Sequence, residues 1–161
     1  MSRPGRAWVL LLAAVLLQTA LGVVWPSGIW MPDLIAAAVI AAALENDRLT
    51  AVLIGLSAGA WQDISLGRLL GLHASLWAVL GYLTSALRQR IASDSWPITA
   101  AIAMAVLLCE RIAEWAVLTL IGVTAPPLFP LFGASVVTVP FVFLCRRLLR
   151  VRHRGLRRAV P

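Results

Sequence analysis

Residues 98–122, ITAAIAMAVLLCERIAEWAVLTLIG, form the longest apolar segment of the chain. A helix that crosses the hydrocarbon core of a bilayer needs about 20 mostly apolar residues, and this segment provides them. Three charged residues interrupt it, Glu110, Arg111 and Glu114. The segment therefore predicts a membrane-spanning helix with ionisable side chains near its middle.

The composition of the whole chain agrees with this prediction. Of its 161 residues, 61% are apolar and 13% are charged, whereas soluble domains have about 45–50% apolar and about 25% charged residues. A water-soluble globule is therefore excluded, and an integral membrane protein is predicted. The two cysteines, Cys109 and Cys145, lie in apolar segments without metal-binding or redox spacing, so we interpret them as packing residues.

Six apolar segments follow one another without an internal repeat or a linker. The first has a basic start, as secretory signals do, but we interpret it as an uncleaved span. The second has 12 residues, 33–44, which as a helix rise only about 18 Å against a hydrocarbon core of about 30 Å. It would cross more easily if its helix began at residue 29, with Pro32 in the first turn. The segment is therefore expected either to span as a short or bent helix or to re-enter the membrane without crossing it. The predicted spans are residues 7–24, 33–44, 49–64, 72–87, 98–122 and 128–145.

The sequence thus predicts an all-α membrane protein, a bundle of about six transmembrane helices in one domain, residues 1–145, followed by a basic tail, residues 146–161. Cytoplasmic segments of membrane proteins carry an excess of arginine and lysine. With the N-terminus inside, twelve of the 14 arginines are cytoplasmic and only Arg68 is in an outer loop. Both termini are therefore predicted to be cytoplasmic, with the tail facing anionic lipid rather than nucleic acid.

The charged residues of the fifth span have two interpretations. Each costs about 2.5–3.5 kcal/mol at the centre of a spanning helix. Glu110 and Glu114 share one helix face, and Arg111 is placed to pair with Glu114. One interpretation is an ion or proton site; the other is a self-neutralising set that holds the helix against a neighbour or a partner protein. We favour the second, because no other span has an ionisable group at the midplane.

A second polar group is predicted at the outer side of the membrane. Asp33 opens the second helix, where a carboxylate suits the positive N-terminus. Asp63, Arg68 and His73 surround the loop between the third and fourth helices, and we expect them to fix this loop or to contribute to a partner-binding surface. One His and one Asp are fewer ligands than the three or four that zinc takes from proteins. Neither a metal nor another cofactor is expected.

Residues 55–59, GLSAG, match the nucleophile pattern G-x-S-x-G, but the strand–turn–helix context that this pattern requires is missing. Ser57 would also lie about 10 Å below the outer end of its helix, far from His73. We expect no catalytic residue and no enzyme, with an intramembrane serine protease as a remote alternative. Gly55 and Gly59 instead match G-x-x-x-G, which lets helices approach closely. With Gly81 they predict close packing among the second, third and fourth helices.

Four short motifs occur in order: MPDL (31–34), GAWQDI (59–64), LGLHA (70–74) and GYL (81–83). In this the chain resembles the MreD family of rod shape-determining membrane proteins. Its members commonly carry Pro-Asp-Leu in the second helix, an Asp ten residues before Leu-Gly-Leu-His/Asn-Ala, and a Gly-Tyr in the fourth helix. The resemblance covers about residues 30–90. Leu66 and Leu69 depart from it, since the family often has a small hydroxyl residue and a proline there.

The resemblance implies a non-enzymatic scaffold of the bacterial cell-elongation machinery in the inner membrane, controlling rod shape and lateral peptidoglycan synthesis. The implied partners are MreC, a single-span protein with a large periplasmic domain, a RodA-type glycosyltransferase with its transpeptidase, and indirectly the filament protein MreB. The family is also related in fold to the substrate-binding S-components of vitamin transporters. The alternative function is therefore a vitamin-binding transporter subunit.

Overall fold

The computed structural model describes residues 3–24, 31–67, 70–91, 95–122 and 128–150. Within these ranges the chain forms six α-helices and no strand, so the predicted all-α class and the number of helices are confirmed. The helices are α1 (Arg3–Val24), α2 (Leu34–Glu45), α3 (Arg48–Leu66), α4 (Leu72–Arg90), α5 (Trp96–Leu120) and α6 (Leu128–Arg150).

The second helix lies within one residue of its predicted range, whereas the sixth helix extends beyond its predicted end. The second helix does not include Met31 or Pro32, because the Asp33 side chain caps it by accepting the N–H of Ala36 at 2.9 Å. The side chain of Gln18 in α1 accepts the next free N–H, that of Leu34, at 2.8 Å. The sixth helix continues beyond residue 145 to Arg150. The other boundaries differ from the predicted ones by at most four residues.

Helix α2 is the centre of the bundle. All of its residues from Leu34 to Leu44 are buried, and the helix contacts each of the other five. Its sequence, LIAAAVIAAALE, is apolar on every side, as expected for a helix without a solvent-facing stripe. We refer to the two ends of the bundle by the ends of this helix, the Asp33 end and the Glu45 end.

Helices α3 and α4 form a tightly packed hairpin. A Cβ atom added to Gly55 would meet the backbone of Trp77, and one added to Gly59 would meet the backbones of His73 and Ala74. From α4, a Cβ at Gly81 would lie 2.7 Å from the carbonyl oxygen of Ala51. The three glycines therefore bring the two backbones into contact, and this contact places the end of α3 beside the start of α4.

The outer faces of the surrounding helices carry large apolar side chains. By length and composition alone, Pro4–Val24 qualifies as a membrane span among the helices in the described ranges, and α2 is a shorter apolar helix. Exposed apolar side chains on the surrounding helices include Leu12, Leu16, Leu53, Leu56, Val79, Leu83, Ile112, Val136 and Leu144. Apolar surface of this extent is typical of faces that contact lipid or another protein.

Candidate functional site

The structure brings the two predicted polar groups into one cluster at the Asp33 end. The start of α2, the end of α3, the start of α4 and the middle of α5 each contribute to it. We call this set the polar cluster; it consists of Asp33, Asp63, His73, Glu110, Arg111 and Glu114. Arg68, which was predicted to join Asp63 and His73, lies outside the described residues.

Asp63 caps α4 from across the loop. The helix begins after Gly71, which has φ +98° and no side chain to bind the free N–H groups of the first turn. One carboxylate oxygen of Asp63 accepts the N–H of Gly71 at 2.8 Å and that of Ala74 at 3.2 Å, and the other accepts the N–H of His73 at 3.0 Å. Asp63 is only 1% exposed. Its position ten residues before His73 is therefore explained by helix capping.

The same carboxylate orients the ring of His73. Nδ1 of His73 lies 2.9 Å from Oδ1 of Asp63, and a carboxylate oxygen only accepts hydrogen bonds, so Nδ1 carries the proton. The other ring nitrogen, Nε2, points toward α5, where it lies 3.7 Å from Oε1 of Glu114 and 4.0 Å from Oε1 of Glu110. Three groups that can donate electron pairs therefore converge, and their donor atoms lie within 4.8 Å of one another.

Arg111 contacts the opposite side of both glutamates. Its Nε lies 3.2 Å from Oε2 of Glu110, and its Nη1 lies 3.5 Å from Oε2 of Glu114, the pair expected from their spacing. Nη2 binds Oδ2 of Asp33 at 3.1 Å, which joins α5 to the start of α2. The backbone N–H of Asp33 in turn donates to the hydroxyl of Thr138 in α6 at 2.9 Å. Arg111 thus connects the charges of α5 to the central helix.

The cluster has more negative than positive groups. Four carboxylates, those of Asp33, Asp63, Glu110 and Glu114, face one guanidinium and one imidazole. Even with a doubly protonated His73 the formal sum is about −2 by the ordinary charges of these groups. Glu110 is 1% exposed and its Oε2 has no hydrogen-bond partner. Since buried charge is costly unless it is paired or neutralised, bound protons or a bound cation would lower the cost of this excess.

A cavity of about 510 Å³ borders the cluster. Its walls include Asp33, His73 and the three charged residues of α5, together with Gln18, Trp61 and Gln62. Behind this wall the indole of Trp77 is fully buried, and its Nε1 donates to Oε1 of Gln62 at 2.8 Å. Gln18 and Gln62 were not among the predicted site residues, although a glutamine inside an apolar helix is a sequence signal that indicates such a position.

A second ionic group lies at the Glu45 end and was also missed. Oε1 of Glu45 accepts from Nε of Arg146 at 2.5 Å and from Nε of Arg150 at 2.6 Å. Arg146 is 5% exposed and also donates to the hydroxyl of Thr99 in α5. Both arginines were placed in the basic tail, whereas their pairing with Glu45 holds the last turns of α6 against α2. The segment beyond Arg150 lies outside the described residues.

Comparison with protein families identifies the chain. The family model described as rod shape-determining protein MreD matches residues 3–152, which extends the similarity well beyond the motifs at residues 30–90. Comparison with curated proteins and with solved structures gives no match. The family match includes all six helices and every residue of the polar cluster. The chain therefore belongs to the MreD family of membrane-associated proteins, and its role is in rod shape determination.

Proposed function

We propose that this protein is a non-enzymatic membrane scaffold of the bacterial elongation machinery, which supports lateral peptidoglycan synthesis by binding MreC and, with it, a RodA-type glycosyltransferase and its transpeptidase. The observation that carries the proposal is the family match over residues 3–152. The exposed apolar faces of the outer helices support it, because such faces suit contact with lipid and with the transmembrane helix of a partner.

All six helices lie in the membrane in this proposal, with the Asp33 end outside and the Glu45 end in the cytoplasm. The distribution of arginines supports this orientation. The shortness of α2 is compatible with it, because the five other helices surround α2 and backbone at membrane depth is tolerated where protein covers it. The tail then meets anionic lipid at the cytoplasmic surface.

Cysteine labelling tests this topology. In a background with Cys109 and Cys145 replaced by serine, single Arg68→Cys, Arg90→Cys and Arg154→Cys variants are treated with a membrane-impermeant maleimide in intact cells whose outer membrane is permeable. We expect labelling at position 68, and labelling at positions 90 and 154 only after the inner membrane is opened. Labelling of position 154 in intact cells would overturn the topology.

The exposed apolar side chains around the α3–α4 loop are the proposed contact for MreC. Asp63 and His73 are buried, so their part in this contact is to position the hairpin. Ile64 at the end of α3 is 67% exposed and Leu70 before α4 is 79% exposed. They lie at the proposed periplasmic end, where a single-span partner with a periplasmic domain leaves the membrane.

Matched variants on α3 test the contact. Leu49, at the opposite end of the helix, is 69% exposed and thus as accessible as Ile64. We expect Ile64→Ser to reduce the MreC that co-purifies from solubilised membranes and to widen cells in which it is the sole copy. Leu49→Ser is expected to change neither. Equal MreC recovery and normal rods for both variants would exclude Ile64 as a contact. If the Ile64→Ser/Leu70→Ser double variant also retains MreC binding, this end of the bundle does not have the proposed scaffold role.

The cavity supports a second candidate, a small-molecule-binding subunit of a transporter. Its volume of about 510 Å³ is within the range of about 300–1,000 Å³ typical of ligand pockets, and Trp61 and Gln62 offer stacking and hydrogen bonding. Mass spectrometry of the purified protein under native conditions distinguishes the two functions. A stoichiometric organic ligand that is lost in Trp61→Ala would favour the transporter subunit, whereas the scaffold is expected to carry none.

A further inference from the structure

We propose that His73, Glu110 and Glu114 bind a divalent transition-metal ion at the Asp33 end of the bundle, and that Asp63 and Arg111 orient these ligands. This inference goes beyond the scaffold role and does not depend on it. It differs from the sequence prediction of no metal, because that prediction considered only His73 and Asp63 as ligands. Two glutamates from α5 complete the set of three that the tertiary structure brings together.

The separations suit a shared ion. Ligand atoms lie about 2.0–2.2 Å from a zinc ion, so two ligands of one ion are at most about 4.4 Å apart. Nε2 of His73 is 3.7 Å from Oε1 of Glu114 and 4.0 Å from Oε1 of Glu110. The complete set of donor atoms lies within 4.8 Å. Small rotations of the glutamate side chains would therefore bring all three atoms to bonding distance of one ion.

The tautomer of His73 leaves Nε2, the ring nitrogen that faces the glutamates, able to bind the ion. Because Nδ1 donates to Asp63, the unprotonated form of the ring presents the lone pair of Nε2 to the two glutamates. A carboxylate that holds the far nitrogen of a metal-binding histidine is the usual outer partner of such a ligand. With Nε2 unprotonated and no cation between them, the three electron-pair donors face one another in a buried space. A metal ion converts this repulsion into coordination.

Glu110 and Glu114 each contact two neighbours, with a different carboxylate oxygen toward each neighbour. In each of them Oε1 faces His73, whereas Oε2 faces Arg111. Arg111 can therefore hold both carboxylates through Oε2, while Oε1 of each faces His73, where the ion would lie. Glu110 is 1% exposed, and its Oε2, although 3.2 Å from Nε of Arg111, has no hydrogen-bond partner. A divalent ion would also balance the excess of about two negative charges counted from ordinary ionisation states.

The ligand types indicate which ions fit. Imidazole suits zinc, iron, copper and nickel, and carboxylates add manganese to the ions that a mixed site accepts. Three protein ligands leave a fourth position for water, as in open zinc sites, and the adjacent cavity has room for it. We therefore expect binding of Zn²⁺, with Co²⁺ as a spectroscopic substitute.

The first test uses the full-length wild-type protein, purified in detergent, stripped with a chelator and titrated with Zn²⁺ in a calorimeter. We expect one ion per chain and a rise in melting temperature with Zn²⁺, as follows from binding to the folded state alone. Co²⁺ should give the visible absorption of a nitrogen–oxygen site without a thiolate band. Absence of binding to the wild type would overturn the proposal and leave protons as the neutralising charges.

Variants locate the ion. Loss of an outer partner of a metal ligand weakens binding by about 10–100-fold, so Asp63→Asn should weaken Zn²⁺ binding to this extent and shift the Co²⁺ spectrum. Glu110→Gln, Glu114→Gln and His73→Gln remove a ligand and should weaken it at least as much. Asp47→Asn, at the other end of α3, is the control and should bind like the wild type.

Equal Zn²⁺ affinity in His73→Gln, Glu110→Gln and the wild type would overturn the proposed site, since the ion would then be held elsewhere, for example by His153 in the tail. None of these outcomes depends on MreC. Metal binding with no effect of Ile64→Ser on MreC would sustain the metal site while contradicting the proposed partner contact, so the two proposals fail separately.

Discussion

At the scale of the residue, Asp63 shows how one carboxylate can serve a helix and a neighbouring side chain together. It accepts three backbone N–H groups at the start of α4 and holds Nδ1 of His73. Sequence reasoning linked Asp63 and His73 through a loop network. The structure adds the reason for the link, which is that Gly71 leaves the start of α4 without a cap of its own.

Replacement of Asp63 should therefore destabilise the protein strongly. Asp63→Ala leaves buried N–H groups without an acceptor and is expected to cost about 3–5 kcal/mol, as for breaking a buried charged pair. Asp63→Asn retains one acceptor oxygen and should cost less. Thermal unfolding in detergent, followed by circular dichroism, measures both. Melting temperatures equal to that of the wild type would contradict the capping role.

Asp47 performs the capping role in an exposed position, at the start of α3. The hydroxyl of Thr50 donates to Oδ1 at 2.6 Å and its backbone N–H donates to Oδ2 at 3.3 Å. These two hydrogen bonds hold the pKa of Asp47 below its ordinary value of 3.8. Because the folded-state pKa is lowered, the stabilisation is present at neutral pH and is lost as the pH falls through the folded-state value.

Hydrogen exchange of the first turn of α3 tests this pH dependence. At neutral pH, Asp47→Ala should lose a cap worth about 1 kcal/mol and exchange about fivefold faster at the amide of Thr50. Well below pH 3.8 the wild-type carboxylate is protonated, and the two proteins should exchange at similar rates. A difference that persists unchanged in acid would show that ionised Asp47 is not the source of the protection.

At the scale of the element, the α3–α4 hairpin depends on glycines at the places where the backbones touch. A Cβ at Gly59 would collide with the backbone of α4, whereas one at Gly22 in α1 would meet nothing within 4 Å. The two positions therefore form a matched pair, both inside helices but with opposite surroundings. The packing of the hairpin also sets the distance between Asp63 and α4. A substitution at Gly59 that separates α3 from α4 would therefore also alter the geometry of the polar cluster.

Gly59→Ala should cost at least about 1–3 kcal/mol, the usual range for overpacking, because backbone atoms cannot move aside as a flexible side chain can. Gly22→Ala should be neutral or stabilising by about 0.4–1 kcal/mol, since alanine restricts the unfolded chain. Chemical denaturation in mixed micelles compares the two. Equal stability of both variants would show that α3 and α4 are further apart than described.

At the scale of the whole molecule, the bundle has an ionic group at each end of its apolar central helix. Asp33 joins α2 to α5 through Arg111, and Glu45 joins α2 to α6 through Arg146 and Arg150. Between them, residues 34–44 offer no polar side chain. A helix that is apolar all round can slide or rotate among its neighbours, and the two charged ends determine its position along the bundle.

The two arginines at the Glu45 end should contribute unequally. Both bind the same carboxylate oxygen, but the side chain of Arg146 is 6% exposed and that of Arg150 is 41% exposed. Arg146→Gln should cost about 3–5 kcal/mol, as for breaking a buried pair, whereas Arg150→Gln should cost at most about 1 kcal/mol. Thermal unfolding of the two variants measures the difference. Similar losses for both would contradict the dependence on burial.

The sequence by itself determined the all-α class, the six helices and most of their limits, because apolar length and turn residues are local properties of the chain. It also determined the family, through motifs carried by residues 31–83, and the pairing of Arg111 with Glu114, which the helical repeat dictates. Asp33, Asp63, His73 and the charges of α5 were each identified as candidate site residues, but in separate groups.

Only the tertiary structure decided how these groups combine. The contact of Arg111 with Asp33 spans 78 residues of sequence, and that of Arg146 with Glu45 spans 101. Such contacts depend on which helix faces lie together, and α2, apolar on every side, gives no pattern from which its neighbours could be read. The convergence of His73, Glu110 and Glu114 became visible only when close packing at the glycines and the Asp63 cap had placed α4 against α5.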